Sequence, residues 1–487
     1  MSKIKDFLFK NKNVKQIIAK NVFWLGVGQV GSRIIRAFII IYAARLLGAA
    51  EYGVFSYALG LAGFFTVFAD IGLSPILTRE VAKKPGRGSY YFATTFWMKI
   101  ILLAVTSLLV IFLAPQFSGI EAAKAIVPFV ALLVIFDGVR DLTIAFVRAK
   151  NKMEIEALII VITNIAITVF GFIILYFSAT AKAFTLSYVA SAGIGTIAAI
   201  FILKEEFMRV VSNFRKQLIR PLIKSALPIA LFSIFGIFMI NIDIIMLGWF
   251  RSAEEIGFYS GGLRIVQLLY ILPSIIAVSI FPSLSKLIGE NNHEKAKKLM
   301  EKVITVVLLM AFPIAVGGVI LGFPLIEIVF GAEYLPGVNA FKILIVAIIF
   351  VFVGNVLGNS ILAYDLQRKM TKFVVGSAIA NVALNFILIP IYGIVGAAIA
   401  TFAVQVFYNF FLIVIIKKVN KFLILKYLKK IIVAAVIMGI FTFIINWLGI
   451  HVILNIITSA LVYFAVLLIL KESTVNELKL IALSIKK

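Results

Sequence analysis

Two arginines three residues apart, Arg33 and Arg36, stand in the middle of an apolar stretch from Trp24 to Gly53 that is long enough to cross a bilayer. An arginine at the centre of a membrane helix costs about 2.5–3.5 kcal/mol on insertion scales, so the pair costs on the order of 5–7 kcal/mol. The i, i+3 spacing puts both guanidinium groups on one helix face. That face must look at protein, water or an anionic ligand, because lipid offers no partner. At 1.5 Å per residue, Arg33 lies roughly 17 Å along its helix from residue 22, near mid-bilayer. Arg264, nine residues into a later span, reaches a similar depth, and Gln267 one turn on is assigned with it. The competing assignment is a buried structural ion pair, with Asp70 the acid that Arg33 or Arg36 would meet.

A second group of charges lies in the fourth apolar stretch. Asp137, Arg140 and Asp141 share one helix face at i, i+3, i+4, and Lys99 of the preceding stretch sits at a compatible depth. The cluster can neutralise itself and hold its helices together. The sharper alternative is that Asp137 or Asp141 takes up a proton or a sodium ion. Asp243 lies near the outer end of the seventh stretch. Asn241, two residues away, points to a different face, so the two do not form one site. Later stretches carry amide pairs at i, i+4 (Asn355 with Asn359, Asn381 with Asn385, Gln405 with Asn409), which commonly join membrane helices. There is no cysteine, and His293 and His451 lie far apart, so neither a thiolate nor a histidine metal site is expected, nor any cofactor.

The elements that position these residues are membrane helices. The chain has 487 residues, 62% hydrophobic and 14% charged, with a mean hydropathy of +1.11, which makes the bilayer its solvent. The net charge of +25 does not point to nucleic acid, because the basic residues fall between apolar spans. A window of about 19 residues gives fourteen candidate spans between residues 22 and 470. The connections at 48–51 and 391–392 are the shortest. With the N-terminus inside, 37 of the 47 lysines and arginines fall on the cytoplasmic side and five on the other. Missing one span would scramble that partition, so fourteen spans with both termini in the cytoplasm are expected.

The chain also repeats. Arg45 to Leu59 (RLLGAAEYGVFSYAL) returns as Leu247 to Leu263 (LGWFRSAEEIGFYSGGL), with Gly48 matching Gly248 and Gly53 matching Gly257. Lys152 to Asn164 returns as Lys369 to Asn381. Six spans per copy is an even number, so both copies enter from the same side, as parallel repeats do. The expected organisation is an interfacial lead-in (1–21), an N-lobe (22–203), a basic linker (204–223), a C-lobe (224–416), and a C-terminal helix pair with tail (417–487).

Arg45-Leu-Leu-Gly48, Tyr52-Gly53, Phe55-Ser56, and Asp70-Ile-Gly72-Leu-Ser before Arg79-Glu80 resemble the polysaccharide transporter family, the oligosaccharide flippases of the superfamily that also holds multidrug extruders. Ser32-Arg33 and Ala44-Arg45 with Gly48 are similar to the first helix of lipid II flippases. The resemblance implies an all-α membrane protein of about fourteen helices, two six-helix lobes around a V-shaped central cavity, and two extra helices. It implies a polyprenyl-diphosphate-linked oligosaccharide as cargo, moved from the inner to the outer leaflet of the cell membrane by alternating access. The guanidinium fork matches a diphosphate. Membrane lipid, and in some settings other glycan-assembly membrane proteins, would be its partners. The alternatives are a cation-coupled multidrug or metabolite exporter of the same superfamily and a membrane glycan polymerase or ligase. An enzyme of that last kind would need a nucleophile–base constellation, which the sequence does not display.

Because the chain is free of cysteine, single introduced cysteines report their side of the membrane. Substitutions at Thr180 and Glu333 should react with an impermeant reagent added outside intact cells, whereas those at Asn213 and Asn420 should not. External labelling at Asn213 would overturn the lobe assignment.

Overall fold

The computed structural model describes residues 14–423 and 428–471, and every regular element among them is helical. The lead-in before residue 14 and the tail beyond 471 lie outside the described residues. The helices that matter here are α1 (Val14–Gly26), α2 (Ser32–Asp70), α3 (Leu73–Lys83), α4 (Gly88–Phe112), α5 (Val127–Ala149), α6 (Met153–Phe177), α7 (Ala181–Ile202) and α8 (Ile219–Phe250). They continue with α9 (Ala253–Leu269), α10 (Ile271–Gly289), α11 (His293–Ile320), α12 (Gly322–Phe330), α13 (Val338–Ala363), α14 (Gln367–Lys417), α15 (Leu428–Trp447) and α16 (Val452–Ile469). The chain divides into two compact units, Met1–Gly257 and Phe258–Lys487, so α8 groups with the first.

Large apolar side chains point outward all along these helices: Phe38, Phe177, Trp447 and Ile469 are at least 66% exposed. In water such a surface would drive association, whereas lipid tails accept it. The helices meet each other through small residues instead. On α7, Ser187, Ser191 and Gly195 recur every four residues and are buried, and a side chain at Gly195 would strike Thr163 of α6. In the second unit Gly318 of α11 lies against Ile345 of α13, and Gly439 of α15 against Val316. Close backbone approach supplies the packing that hydrophobicity cannot supply between lipid-immersed helices.

Nine helices among the described residues are long and apolar enough to span a membrane, or ten if one bent pair is counted as a span. The difference from the fourteen expected has identifiable causes. Helix α2 runs through two expected spans, broken only at Gly48 (φ 72°, ψ 172°), and α14 does the same at Gly393 (φ 56°, ψ −135°). Both breaks fall in or beside the two shortest connections, in backbone conformations that glycine adopts at little cost. Helix α5 carries Asp137, Arg140 and Asp141, which lower its hydropathy, and α8 enters only as the apolar stretch Met239–Phe250.

The chain bends where helix α2 gives way to α3. Helices α2 and α3 meet at 43° across Ile71 (φ 39°) and Gly72 (φ 79°). A left-handed isoleucine is uncommon and strained, so its surroundings must enforce it. Gly72 is pressed against the backbone of α8 at Ala226 and Ala230, where no side chain would fit.

The repeated glycines Gly53 and Gly257 lie against one another's helices. A Cβ on Gly53 would collide with the carbonyl oxygen of Ala253, and one on Gly257 with that of Ala49. Gly53→Ala or Gly257→Ala should therefore destabilise the protein by about 1–3 kcal/mol, the usual range for forced overpacking. Gly376→Ala, at a helical glycine with open space around it, should be neutral or mildly stabilising. Thermal unfolding of the purified protein in detergent checks this, and equal melting points for all three variants would contradict the packing described.

Candidate functional site

The first unit holds a cavity of about 710 Å³, lined from five directions. Gln29 comes from the five-residue π-helical turn that joins α1 to α2. Arg36, Thr66 and Asp70 come from α2, Ser74 and Thr78 from α3, Arg140, Asp141 and Arg148 from α5, and Thr163 and Asn164 from α6. The break between α2 and α3 forms part of the wall through Ile71 and Gly72. The strained turn thus positions Asp70 and Ser74 side by side at the cavity.

Every acid and base at this site has a partner. Asp70 accepts from Lys99 Nζ of α4, from Ser74 Oγ at 2.5 Å and from the Ser74 backbone N–H at 3.4 Å. The carboxylate therefore ties α4 to the positive end of α3 across the bend. Lys99 is only 2% exposed, so without an acid it would be a buried unpaired cation. Arg140 Nη1 meets Asp137 Oδ1 at 2.8 Å, while its Nη2 stands 3.7 Å from Asp141, too far for a hydrogen bond. Arg148 grips Glu156 with two parallel bonds, Nε to Oε2 at 2.7 Å and Nη2 to Oε1 at 2.5 Å. Glu156 is fully buried, and this paired geometry is what arginine makes best.

Arg36 donates through Nε to Asn164 Oδ1 at 2.8 Å and also acts electrostatically on Asp137. The orientation of the Asn164 amide follows from its other bond: its Nδ2 donates to the Ile160 carbonyl at 2.7 Å, which turns the oxygen toward Arg36. Taken together, Arg36, Lys99, Arg140 and Arg148 stand against Asp70, Asp137, Asp141 and Glu156, and the charges cancel.

Two expectations from sequence need correction. Asp70 is not the acid of Arg33 or Arg36, because Lys99 and Ser74 occupy its carboxylate at the bend. Lys99, in turn, does not join the Asp137–Arg140–Asp141 cluster. A buried lysine takes the acid within reach of its amine, and the bend at Ile71 brings Asp70 there. Arg33 is exposed and has no hydrogen bond or ion pair with any described residue. In the second unit Arg264 Nη1 donates to Gln267 Oε1 at 3.2 Å, one turn along α9. Asp243 of α8 is 5% exposed.

Sequence reasoning missed Asn164, Glu156, and the role of Arg148 as more than a loop charge. One signal was available: Asn164 ends the repeated segment whose other copy ends at Asn381. In that second copy Asn381 Oδ1 accepts from Asn385 Nδ2 at 2.9 Å, so both positions serve as hydrogen-bond acceptors between polar side chains.

A family model described as polysaccharide biosynthesis protein matches residues 18–288, and one described as MatE matches residues 228–387. The chain is 25% identical over 391 residues to the probable low-salt glycan biosynthesis flippase Agl15 of Haloferax volcanii, covering 80% of this chain and 79% of the relative. It is 21% identical over 395 residues to the putative O-antigen transporter of Shigella flexneri, covering 79% and 94%. Among solved structures, the lipid II flippase MurJ in an inward closed conformation aligns with a TM-score of 0.70 at 18% identity, over 91% of this chain and 97% of that one. An inward-facing multidrug resistance transporter aligns with a TM-score of 0.63 at 15% identity, over 80% and 99%. These solved structures share the all-α fold of this chain. The family match takes in more than half of the residues, and the chain belongs to the polysaccharide biosynthesis protein family.

Proposed function

We propose that this protein is a flippase that moves a lipid-linked glycan, carried on a polyprenyl diphosphate, from the inner to the outer leaflet of the cell membrane by alternating access. The observation that carries this reading is the polar cavity of about 710 Å³ inside a helical membrane protein of this family. An apolar drug would have to strip water from many charged groups there, whereas a glycan head group needs polar partners throughout its passage. The relatives named above are a flippase and an O-antigen transporter, and the reading is transport rather than catalysis.

In this reading fourteen spans cross the membrane. Breaking α2 at Gly48 and α14 at Gly393 separates two spans in each, and α5 and α8 complete the set despite their charges and shorter apolar stretch. The N-lobe (22–203) and C-lobe (224–416) are parallel repeats joined by the basic linker, both termini face the cytoplasm, and the C-terminal pair is appended. Arg33 supplies guanidinium donors to the diphosphate, and Arg264 is the second repeat's candidate for the same role. Gln267 steadies Arg264, and Arg36 and Asp70 belong to the polar wall of the first unit's cavity. The Asp137–Arg140 pair is structural. Coupling to a proton or sodium ion through Asp137, Asp141 or Asp243 is the rival role for these acids.

Arg33→Ala should lower leaflet exchange of a lipid-linked glycan in proteoliposomes at least tenfold, with yield unchanged, because no described residue loses an ionic partner. Arg33→Lys should keep part of the rate, since charge remains without the fork. Full activity in Arg33→Ala would remove this residue from the site.

Asp137→Asn should act differently. It leaves Arg140 with only the more distant Asp141, so folded yield should fall, by analogy with the roughly 3–5 kcal/mol lost when one partner of a buried pair is removed. Surviving protein should transport with the same dependence on pH and sodium as the parent. Normal yield with that dependence abolished would assign Asp137 to ion coupling instead.

A further inference from the structure

The basic linker that follows α7 is more than a tether, because it is fastened to α4 along one side. It begins with a short helix, Lys204–Met208, and a turn. Phe207 packs edge-on against Phe92 and Phe96, with ring centroids 5.3 and 5.6 Å away, and Val210 is buried. Trp97 Nε1 donates to the Val210 carbonyl at 3.3 Å, and Thr94 Oγ1 accepts from the Arg215 backbone N–H at 3.1 Å. The Arg215 guanidinium lies 4.6 Å over the Tyr90 ring and donates to the Ser212 and Phe214 carbonyls. The segment is therefore a ledge of fixed shape.

The outer side of the ledge combines two features. Met208 and Val211, each one residue beyond an inward-facing neighbour, are 80% and 72% exposed. Arg209, Lys216 and Arg220 of the same linker are also exposed, and none has a side-chain hydrogen bond or ion pair with a described residue. Buried cations in this unit find acids, as Lys99 does in Asp70 and Lys20 in Glu154 at 3.0 Å. The linker holds two acids. Glu206 is taken by Lys150 at 3.0 Å, which leaves Glu205 against the three free cations. We propose that this ledge is a binding surface for anionic lipid head groups, with the three cations on the phosphates and Met208 and Val211 among the upper acyl chains. Apolar side chains alone would suit any lipid, and cations alone any polyanion. Only a charged lipid surface satisfies both at once, since against a nucleic acid or an acidic protein Met208 and Val211 would stay wet. The proposal concerns the lipid around the protein and does not rest on the flippase reading.

Trp97, 38% exposed and bonded to the ledge, is a built-in reporter. With Trp24, Trp249 and Trp447 replaced by Phe, it is the one tryptophan left. The full-length protein is placed in nanodiscs of phosphatidylcholine with a minor share of phosphatidylglycerol. Bromine, which quenches tryptophan fluorescence, is carried high on the acyl chains of one lipid or the other. Bromine on the anionic lipid should quench Trp97 about threefold more than that lipid's share of the bilayer accounts for, and high salt should remove most of the excess. Arg209→Gln/Lys216→Gln/Arg220→Gln should bring quenching down to the bulk composition. Lys295→Gln/Lys297→Gln/Lys298→Gln, an equal loss of charge on α11, should leave the excess intact. Met208→Ser/Val211→Ser should weaken quenching by both lipids, because the ledge then rides farther from the acyl chains. Quenching in proportion to bulk composition in the parent would overturn the proposal. So would an excess that survives high salt or the linker triple variant, or one that the α11 variant removes equally.

Discussion

The first unit depends on one constraint: a charge buried inside a helical membrane bundle must find its partner within the protein. The cost of leaving a lysine or arginine unpaired in that environment exceeds what ordinary packing supplies, so the positions of the ionic partners decide which helices sit together. Lys99 fastens α4 to the end of α2, Arg148 fastens α5 to α6, and Arg36 fastens α2 to α6 through Asn164. These contacts converge on the same cavity, whose walls are therefore held by the polar groups that line it. A bend that would otherwise be unfavourable at Ile71 is kept because Asp70 and Ser74 are engaged there from both sides.

Glycine provides the second constraint, and the internal repeat shows how it is used. Gly48 and Gly248 occupy matching places, yet they do different work. Gly48 takes a positive φ and breaks α2, whereas Gly248 stays within α8, where a side chain would strike the ring of Tyr57. The second copy has four more residues before its second glycine, and there the chain turns at Arg251 (φ −136°) and Ser252. A longer connection can turn without a left-handed residue, which leaves Gly248 to serve close packing. Gly53 and Gly257, by contrast, perform the same task in both copies, each admitting a carbonyl oxygen from the other's segment.

How much of this was legible in the sequence depends on how local each interaction is. The helical class, the short connections at Gly48 and Gly393, and the bend at Gly72 follow from hydropathy and from residue types that few backbone conformations suit. The Asp137–Arg140 pair was visible because both residues lie on one turn of one helix. Lys99 with Asp70, and Arg36 with Asn164, join residues 29 and 128 positions apart, and no spacing rule reaches that far. Arg148 is hard to place from sequence for a related reason. At the end of an apolar span it looks like a cytoplasmic loop charge, yet Glu156, eight residues later on the next helix, turns it into part of the wall. Hydropathy reports depth in the membrane but is silent about which neighbour a side chain faces.

These constraints also bear on how a carrier releases its cargo. Transport needs binding that is strong enough to admit the ligand and weak enough to let it go. A cavity whose charges are already paired satisfies both demands for a sugar. It offers hydrogen bonds in place of those lost to water, and it holds no uncompensated charge that would trap the ligand. In the proposed function, Arg33, exposed and outside the paired network, would make its charge-assisted contact where solvent can moderate it. This division would then let one protein handle both the charged and the uncharged parts of a lipid-linked head group.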